Sequence, residues 1–302
     1  MKITNKLNLP FGMVKAISTE RHNADRCISA TTLLQGMKQV ILTARHWDGL
    51  SDDVSDRIWA IFGTTVHSLM ESEGENDFTE QDISFPVKGI TVTGRIDNYD
   101  MKNGVICDYK TASVWKVKFN DFEDWYKQGM IYAWLLVKNG FKAEKCRFIT
   151  LLKDHSKTDA SHDSSYPQQP VFVYEFDVTF DKLAEIERFI FGKVEEYIQN
   201  ADKPDNDIPP CDWEEHWEKP TVYAIKKNGR KTAVKLLYTE ESANEMLKTL
   251  NKDHYIEKRI GESVKCKSYC LCRNFCNFYH ENVNPLETTE VTNIEESTET
   301  AA

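Results

Sequence analysis

The chain has 302 residues, 40% of them apolar and 28% charged, and a formal net charge of −10. That composition excludes fibrous and wholly disordered classes and leaves room for one large domain or a domain with an insertion. Six glutamates and no lysine or arginine follow from Glu281 onward, so removing those six charges from −10 leaves −4, and bulk charge does not decide for or against a nucleic-acid partner.

In chain order, residues 1–25 are mixed and irregular in pattern. MKITNKLNLPFGMVKAI has no apolar stretch followed by a cleavage site, so no signal peptide is expected. ISATTLLQGMKQVILTARHW offers Ser29 or Thr31 as an N-cap and then apolar residues at helical spacing. SDDVSDRIWAIFGTTVHSLMESE reads as a second helix, with Asp52 and Asp53 suited to its first turn. The period then changes to two. DISFPV, GITVTGRID and GVICDYKTA read as an antiparallel meander. DFEDWYKQGMIYAWLLVKNG returns to helix and ends at Gly140. KAEKCRFITLLKD and PVFVYEFDV read as strands separated by a polar loop, and FDKLAEIERFIFGKVEEYIQ as an amphipathic helix. The longest apolar runs, such as MIYAWLLV, are too short to cross a bilayer, so a soluble cytoplasmic protein without a membrane partner is expected.

NADKPDNDIPP, with three prolines, marks a boundary. Beyond it TVYAIKKNGRKTAVKLL reads as a hairpin turning at Asn228-Gly229, and TEESANEMLKTLNK as a helix capped by Thr239. The expected organisation is an α/β core over 1–202 with a mixed central sheet flanked by helices, a second region over 203–280, and a disordered acidic tail over 281–302.

The chemistry concentrates in GRIDNYDMKNGVICDYKTA, Gly94 to Ala112. A hairpin here brings Asp97 near Asp108, and Asp108 and Lys110, two apart, share a face. Two carboxylates, with the Tyr109 carbonyl, are hard oxygen donors that suit Mg2+ or Mn2+. Such an ion polarises a phosphoryl oxygen and acidifies water, and an adjacent lysine can orient that water. Taken alone the triplet is more often a polar hairpin with a surface ion pair, because such triplets are common. Two further pairs lie at helical spacing: His67 with Glu71 before the strands, and Gln128 with Tyr132 after them.

Eight cysteines in a cytoplasmic chain argue against a disulfide framework. Cys266, Cys270, Cys272 and Cys276 fall within eleven residues, with Cys211 upstream, and that crowding points to a metal or a cluster. Cys107 and Cys146 sit in strand patterns and read as buried thiols.

In order, GTTVHSLME, GRID, DYKTA and QGMIY resemble the motifs of the RecB-like branch of the PD-(D/E)xK nuclease superfamily, in particular its phage and prophage exonucleases, over about Thr31 to Tyr279. The resemblance implies a restriction-endonuclease-like core with a C-terminal cysteine-clamped subdomain. It implies a metal-dependent DNA nuclease, an exonuclease of phage recombination or DNA processing that uses a metal-activated water and acts in the host cytoplasm where the gene is phage-borne. His67, Asp97 and Asp108, with the Tyr109 carbonyl, would be metal ligands and Lys110 the catalytic lysine. Gln128 and Tyr132 match a supporting Q-x-x-x-Y motif, and Glu71 an acidic position one turn after the histidine. Ile96 stands where the superfamily name has proline. Cys211, Cys266, Cys270 and Cys276 match a one-plus-three arrangement for a 4Fe–4S cluster; four thiolates equally fit Zn2+. Cys272 competes with Cys270, and Cys27 with Cys211. The implied partners are single- or double-stranded DNA ends and a phage single-strand annealing or binding protein.

Trp115, Lys116 and Lys118 follow the lysine strand directly, where rings can stack bases while charges track phosphates. Lys226 to Lys231 and Lys235 on the later hairpin read equally as a solvated tip. Two rival readings stand beside the nuclease: a non-catalytic nucleic-acid-binding or assembly protein on a nuclease scaffold, and a zinc-stabilised interaction protein whose acidic pair is incidental.

Overall fold

Period-two burial builds the centre of the protein. In the computed structural model, which describes residues 1–17, 26–59, 61–63, 65–66 and 79–284, the chain divides into two units. The first comprises Met1–Val40 and Asp48–Asp202, the second Ile41–Trp47 and the chain from Lys203 onward.

The first unit opens with β1 (Lys2–Thr4), α1 (Phe11–Ile17), β2 (Cys27–Ser29), α2 (Ala30–Leu33), the start of α3 (Met37–Arg45) and β3 (Ser51–Asp53). Its centre follows as β4 (Thr79–Val87), β5 (Ile90–Asp100), β6 (Val105–Ala112), α4 (Val114–Lys118), α5 (Glu123–Lys138), β7 (Lys145–Leu152), α6 (Lys157–His162), β8 (Val171–Asp177) and α7 (Phe180–Asn200). Six strands form one mixed sheet in the order β2-β5-β6-β7-β8, with β4 on β5. β4, β5 and β6 are the expected antiparallel meander, β6 and β7 run parallel, and β7 and β8 antiparallel. Parallel pairing of β6 and β7 needs a crossover, which α4 and α5 supply. The expected α/β core with a mixed central sheet flanked by helices is the observed one.

Helix α5 is apolar nearly all round, with Trp125 and Gln128 to Leu136 buried. A helix of that kind must be covered on both sides. It packs on β4 to β7 with one side and on α7 with the other. Ile96, Ile106, Met130, Ile131, Leu135, Phe148 and Ile190 form the resulting core.

The second unit holds β9 (Glu218–Lys219), β10 (Val222–Lys227), β11 (Lys235–Leu237), α8 (Glu240–Lys248), β12 (His254–Arg259), β13 (Glu262–Ser263) and α9 (Val264–Ser268). β10 is the middle strand of an antiparallel sheet in the order β11-β10-β12. Thr239 caps α8 by accepting a hydrogen bond from the Ser242 amide at 3.2 Å.

Several expectations are corrected. The helix expected after Ser29 or Thr31 is capped by Ser29 but is two helices parted at Gly36, and Cys27–Ser29 before it pair with β5. Residues 51–57 are not the first turns of a helix. Ser51–Asp53 pair in parallel with Lys2–Thr4, and a 3-10 turn follows with Asp53 as its cap. Asp53 also accepts from the Thr4 and Ser55 hydroxyls and the Lys6 amide, and these donors, Thr4 foremost, hold its carboxyl well below the usual range. The stretch 1–25 therefore carries a strand and a helix. Residues 58–59, 61–63 and 65–66 are helical as expected. Asn228-Gly229 does not make a two-residue turn; the loop from β10 to β11 runs over 228–234. Of the expected tail, Glu281–Val283 lie in a helical turn, and 285–302 lie outside the described residues.

Two glycines let α5 lie close on the sheet. A Cβ at Gly94 would meet the Tyr132 ring and Leu135 Cδ1 at 2.9 Å, and one at Gly129 would meet Phe148 and Phe176 at 3.0 Å. Gly94→Ala is expected to cost about 1–3 kcal/mol in urea unfolding, the range for overpacking a filled core; an unchanged midpoint would show that the helix does not sit this close.

Candidate active site

The ladder between β5 and β6 is short. It pairs Asn98 with Cys107, Tyr99 with Ile106 and Asp100 with Val105, and ends there. On its other stretch β5 pairs with β2 over Thr91–Thr93. Meanwhile β6 continues along β7 to Ala112. The sheet forks between these registers, and Asp97 and Asp108 are the first residues of the two prongs. Across the fork the Tyr109 amide donates to Asp97 Oδ2 at 2.9 Å, so a side chain takes over from the backbone ladder.

Both carboxylates are buried, Asp97 at 8% and Asp108 at 2% relative exposure. Burying a carboxylate is costly unless donors surround it. Gln128 Nε2 on α5 donates to Asp108 Oδ1 at 3.2 Å, and Lys110 Nζ lies 2.7 Å from Asp108 Oδ2. The same Gln128 amide donates to the Tyr132 hydroxyl at 2.8 Å. Gln128 and Tyr132 thus share a face of α5, as their spacing predicts, and that face meets Asp108. Burial first, then the nearby Asp108 charge, push the Tyr132 phenol far up, so it stays protonated; Asp97 acts in the same direction. Lys110 Nζ also lies 5.7 Å from the centroid of the buried Phe148 ring.

The structure therefore brings together Asp97, Asp108, Tyr109, Lys110, Gln128 and Tyr132. For Tyr109 the amide, not the carbonyl, is the group in contact with a carboxylate. His67 and Glu71 lie outside the described residues. Among the described residues no three His, Cys, Asp or Glu side chains gather closely enough to hold one metal ion. Asp97 and Asp108 supply two oxygen donors of the kind hard divalent cations take.

Beside the fork, Ser113 caps α4 and Asp154 accepts from the Val114 amide at 2.8 Å. Trp115 is 52% exposed and stacks on Phe119, itself 73% exposed, with centroids 5.7 Å apart. Lys118 Nζ lies 5.4 Å over the Trp115 ring and 2.8 Å from Asp163. Lys116 turns to Asp124 at 2.9 Å and to the Trp125 ring. Phe119 was not singled out from sequence, although its i+4 spacing from Trp115 carried the signal. Lys153 Nζ lies 4.4 Å over the exposed Trp59 ring, a pairing that no sequence spacing signals because the two are far apart in the chain.

The cysteines lie in their own unit, except Cys27 on β2, Cys107 on β6 and Cys146 on β7. Cys146 is buried and its thiol bonds the Gly129 carbonyl; burial pushes the thiols of Cys107 and Cys146 up. Cys211, Cys266, Cys270 and Cys276 are all half-buried. Burial first, then the neighbouring Cys270, Cys211 and Cys276, push the Cys266 thiol up to about 12. Cys272 is 1% exposed and its sulfur is 3.5 Å from that of Cys270. The hydrogen bond between the two thiols pushes Cys270 down and Cys272 up.

No family model and no curated protein match the chain. Among solved structures, a protein called SSO0001 is similar over 64% of this chain and 86% of its own, at 20% identity and a TM-score of 0.44. An alkaline exonuclease from Laribacter hongkongensis, LHK-Exo, is similar over 59% of this chain and 90% of its own, at 12% identity and 0.38. A phage-related exonuclease from Haemophilus somnus covers 57% and 93%, at 11% and 0.37. Likenesses at this level decide nothing about what the chain acts on. No helix of the described residues is long and apolar enough to cross a membrane.

Gln128→Leu removes the amide from a buried carboxylate. Unfolding in urea is expected to show a loss of about 1–3 kcal/mol, the cost of a hydrogen bond to a charged group. A loss under about 0.5 kcal/mol, within the range of neutral surface changes, would mean that Asp108 does not depend on it.

Proposed function

We propose that the chain is a metal-dependent nuclease that hydrolyses phosphodiester bonds in DNA, acting as an exonuclease of phage recombination or DNA processing. The observation that carries this reading is the fork: two buried carboxylates and a lysine on adjacent strands, braced by one glutamine. Structural needs alone do not call for the Asp108–Lys110 pair, because a buried ion pair is often no more stable than the apolar side chains that could replace it.

Asp97 and Asp108, with His67 completing the set, would hold Mg2+ or Mn2+. When bound, the cation supplies Lewis acidity to a phosphoryl oxygen and acidifies water. The chain's own residues do the rest. Gln128 fixes the Asp108 carboxylate. The protonated Tyr132 keeps a neutral partner beside that amide. Lys110 brings a positive charge to the edge of the fork, where it can stabilise charge developing on a phosphate and orient the attacking water. The Phe148 ring beneath it excludes bulk water from one side. The exposed Trp115–Phe119 pair offers stacking surfaces for bases.

In the second unit, Cys211, Cys266, Cys270 and Cys276 would hold a 4Fe–4S cluster. The support is the residue set: Cys266, Cys270 and Cys276 within eleven residues and Cys211 upstream, all four half-buried; among the described residues the side chains are not gathered closely enough to hold one metal ion.

End-labelled single- and double-stranded DNA incubated with Mn2+ tests the reading. Wild type should cleave, and Lys110→Ala should cleave about 100- to 1,000-fold more slowly, as when one preorganised donor is removed from a charge-stabilising site. Absence of cleavage by cluster-loaded wild type on every substrate would overturn it.

A further inference from the structure

The second unit carries a strongly basic element that the site above does not use. Between Lys226 and Lys235 the chain has five cationic residues and no carboxylate, in a protein whose net charge is −10. This segment is the end of β10, the loop 228–234 and the start of β11.

Its backbone is held. Asn228 N–H donates to Asp253 at 2.8 Å, Arg230 N–H to Lys227 at 3.0 Å and Val234 N–H to Ile225 at 2.7 Å. Lys226 turns inward, bonding the Lys231 carbonyl at 2.8 Å and lying 3.7 Å from Glu257. The strand beneath is anchored by Ala224 and Ile225, both fully buried.

The other four cations, Lys227, Arg230, Lys231 and Lys235, are exposed. None has a carboxylate partner among the described residues; Arg230 Nε reaches only the Thr232 hydroxyl, at 3.0 Å. Several lysines elsewhere are matched: Lys116, Lys118, Lys138 and Lys145 each lie within 4 Å of a carboxylate. Four like charges on one ordered hairpin repel each other, and a polyanion relieves that repulsion. Two tyrosines of the same region are also exposed, Tyr255 on β12 at 43% and Tyr238 just after β11 at 70%. Cations held on an ordered hairpin without carboxylate partners match the phosphate backbone of the nucleic acid proposed above.

We infer that the β10–β11 hairpin is a second nucleic-acid contact, binding phosphates through Lys227, Arg230, Lys231 and Lys235 without reading sequence. The inference rests on the nucleic-acid reading proposed above, but not on cleavage.

Binding of a labelled DNA duplex, measured by fluorescence anisotropy without divalent cations between 50 and 200 mM salt, tests it on the full chain. The slope of log K against log salt is about −0.9 per phosphate contact on duplex DNA. Changing all four residues to Ala should make that slope shallower by about 3 and weaken binding at least about tenfold at low salt. A variant with Lys227, Lys231 and Lys235 changed to Arg, which keeps every charge, should bind like wild type. The same affinity and slope in the Ala variant would overturn the inference. So would no binding by wild type, or displacement of DNA by polyglutamate as effectively as by unlabelled DNA. Hairpin-dependent binding by a wild type that never cleaves would uphold the inference while removing the nuclease reading.

Discussion

The hydrogen bond from the Tyr109 amide to the Asp97 carboxylate holds the centre of this protein. Where β5 and β6 stop sharing a ladder, the sheet would expose backbone donors inside the core, and a buried amide without an acceptor is costly. Asp97 supplies the acceptor. In doing so it places one carboxylate across from the strand that carries Asp108, directly past the last paired residues, Asn98 and Cys107. Because Asp108 and Lys110 lie two apart, the same fork sends the second carboxylate and the ammonium to one face.

That arrangement is expensive to bury, and the surrounding layers show how it is made tolerable. Gln128 reaches Asp108 only because α5 lies directly on the strands, and α5 lies there only because Gly94 and Gly129 present no Cβ. The helix is covered on its far side by α7, which leaves its polar pair, Gln128 and Tyr132, facing inward within an otherwise apolar surface. Polar residues in such a position are retained for what they touch, since an apolar helix would pack as well.

The parts of the fold that were legible in the sequence are those governed by local periodicity. The meander, α5, β7, β8 and α7 repeat at two or at three and four over long spans, and their patterns leave little choice. What was not legible depends on distant partners. Cys27–Ser29 is a strand only because Thr91–Thr93 lies beside it, and Ser51–Asp53 only because Lys2–Thr4 does. In the basic hairpin, Asn228-Gly229 suggested a tight turn, but the register of Ile225 with Lys235 sets a longer loop. At the site, spacing placed Asp108 with Lys110 and Gln128 with Tyr132. It could not show that the ladder ends at Asn98, which is what turns an ordinary hairpin into a fork. Nor could it show that Lys116 would be turned to Asp124 while Phe119 stands exposed.

The most direct measurement of the central claim is anomalous diffraction from crystals soaked in Mn2+, for wild type and Asp97→Asn. The account predicts a manganese peak at the fork in wild type, ligated by Asp97 and Asp108, with Lys110 moved off Asp108, and loss of that peak in the variant. A wild-type fork without manganese and with the Lys110–Asp108 pair undisturbed would contradict it.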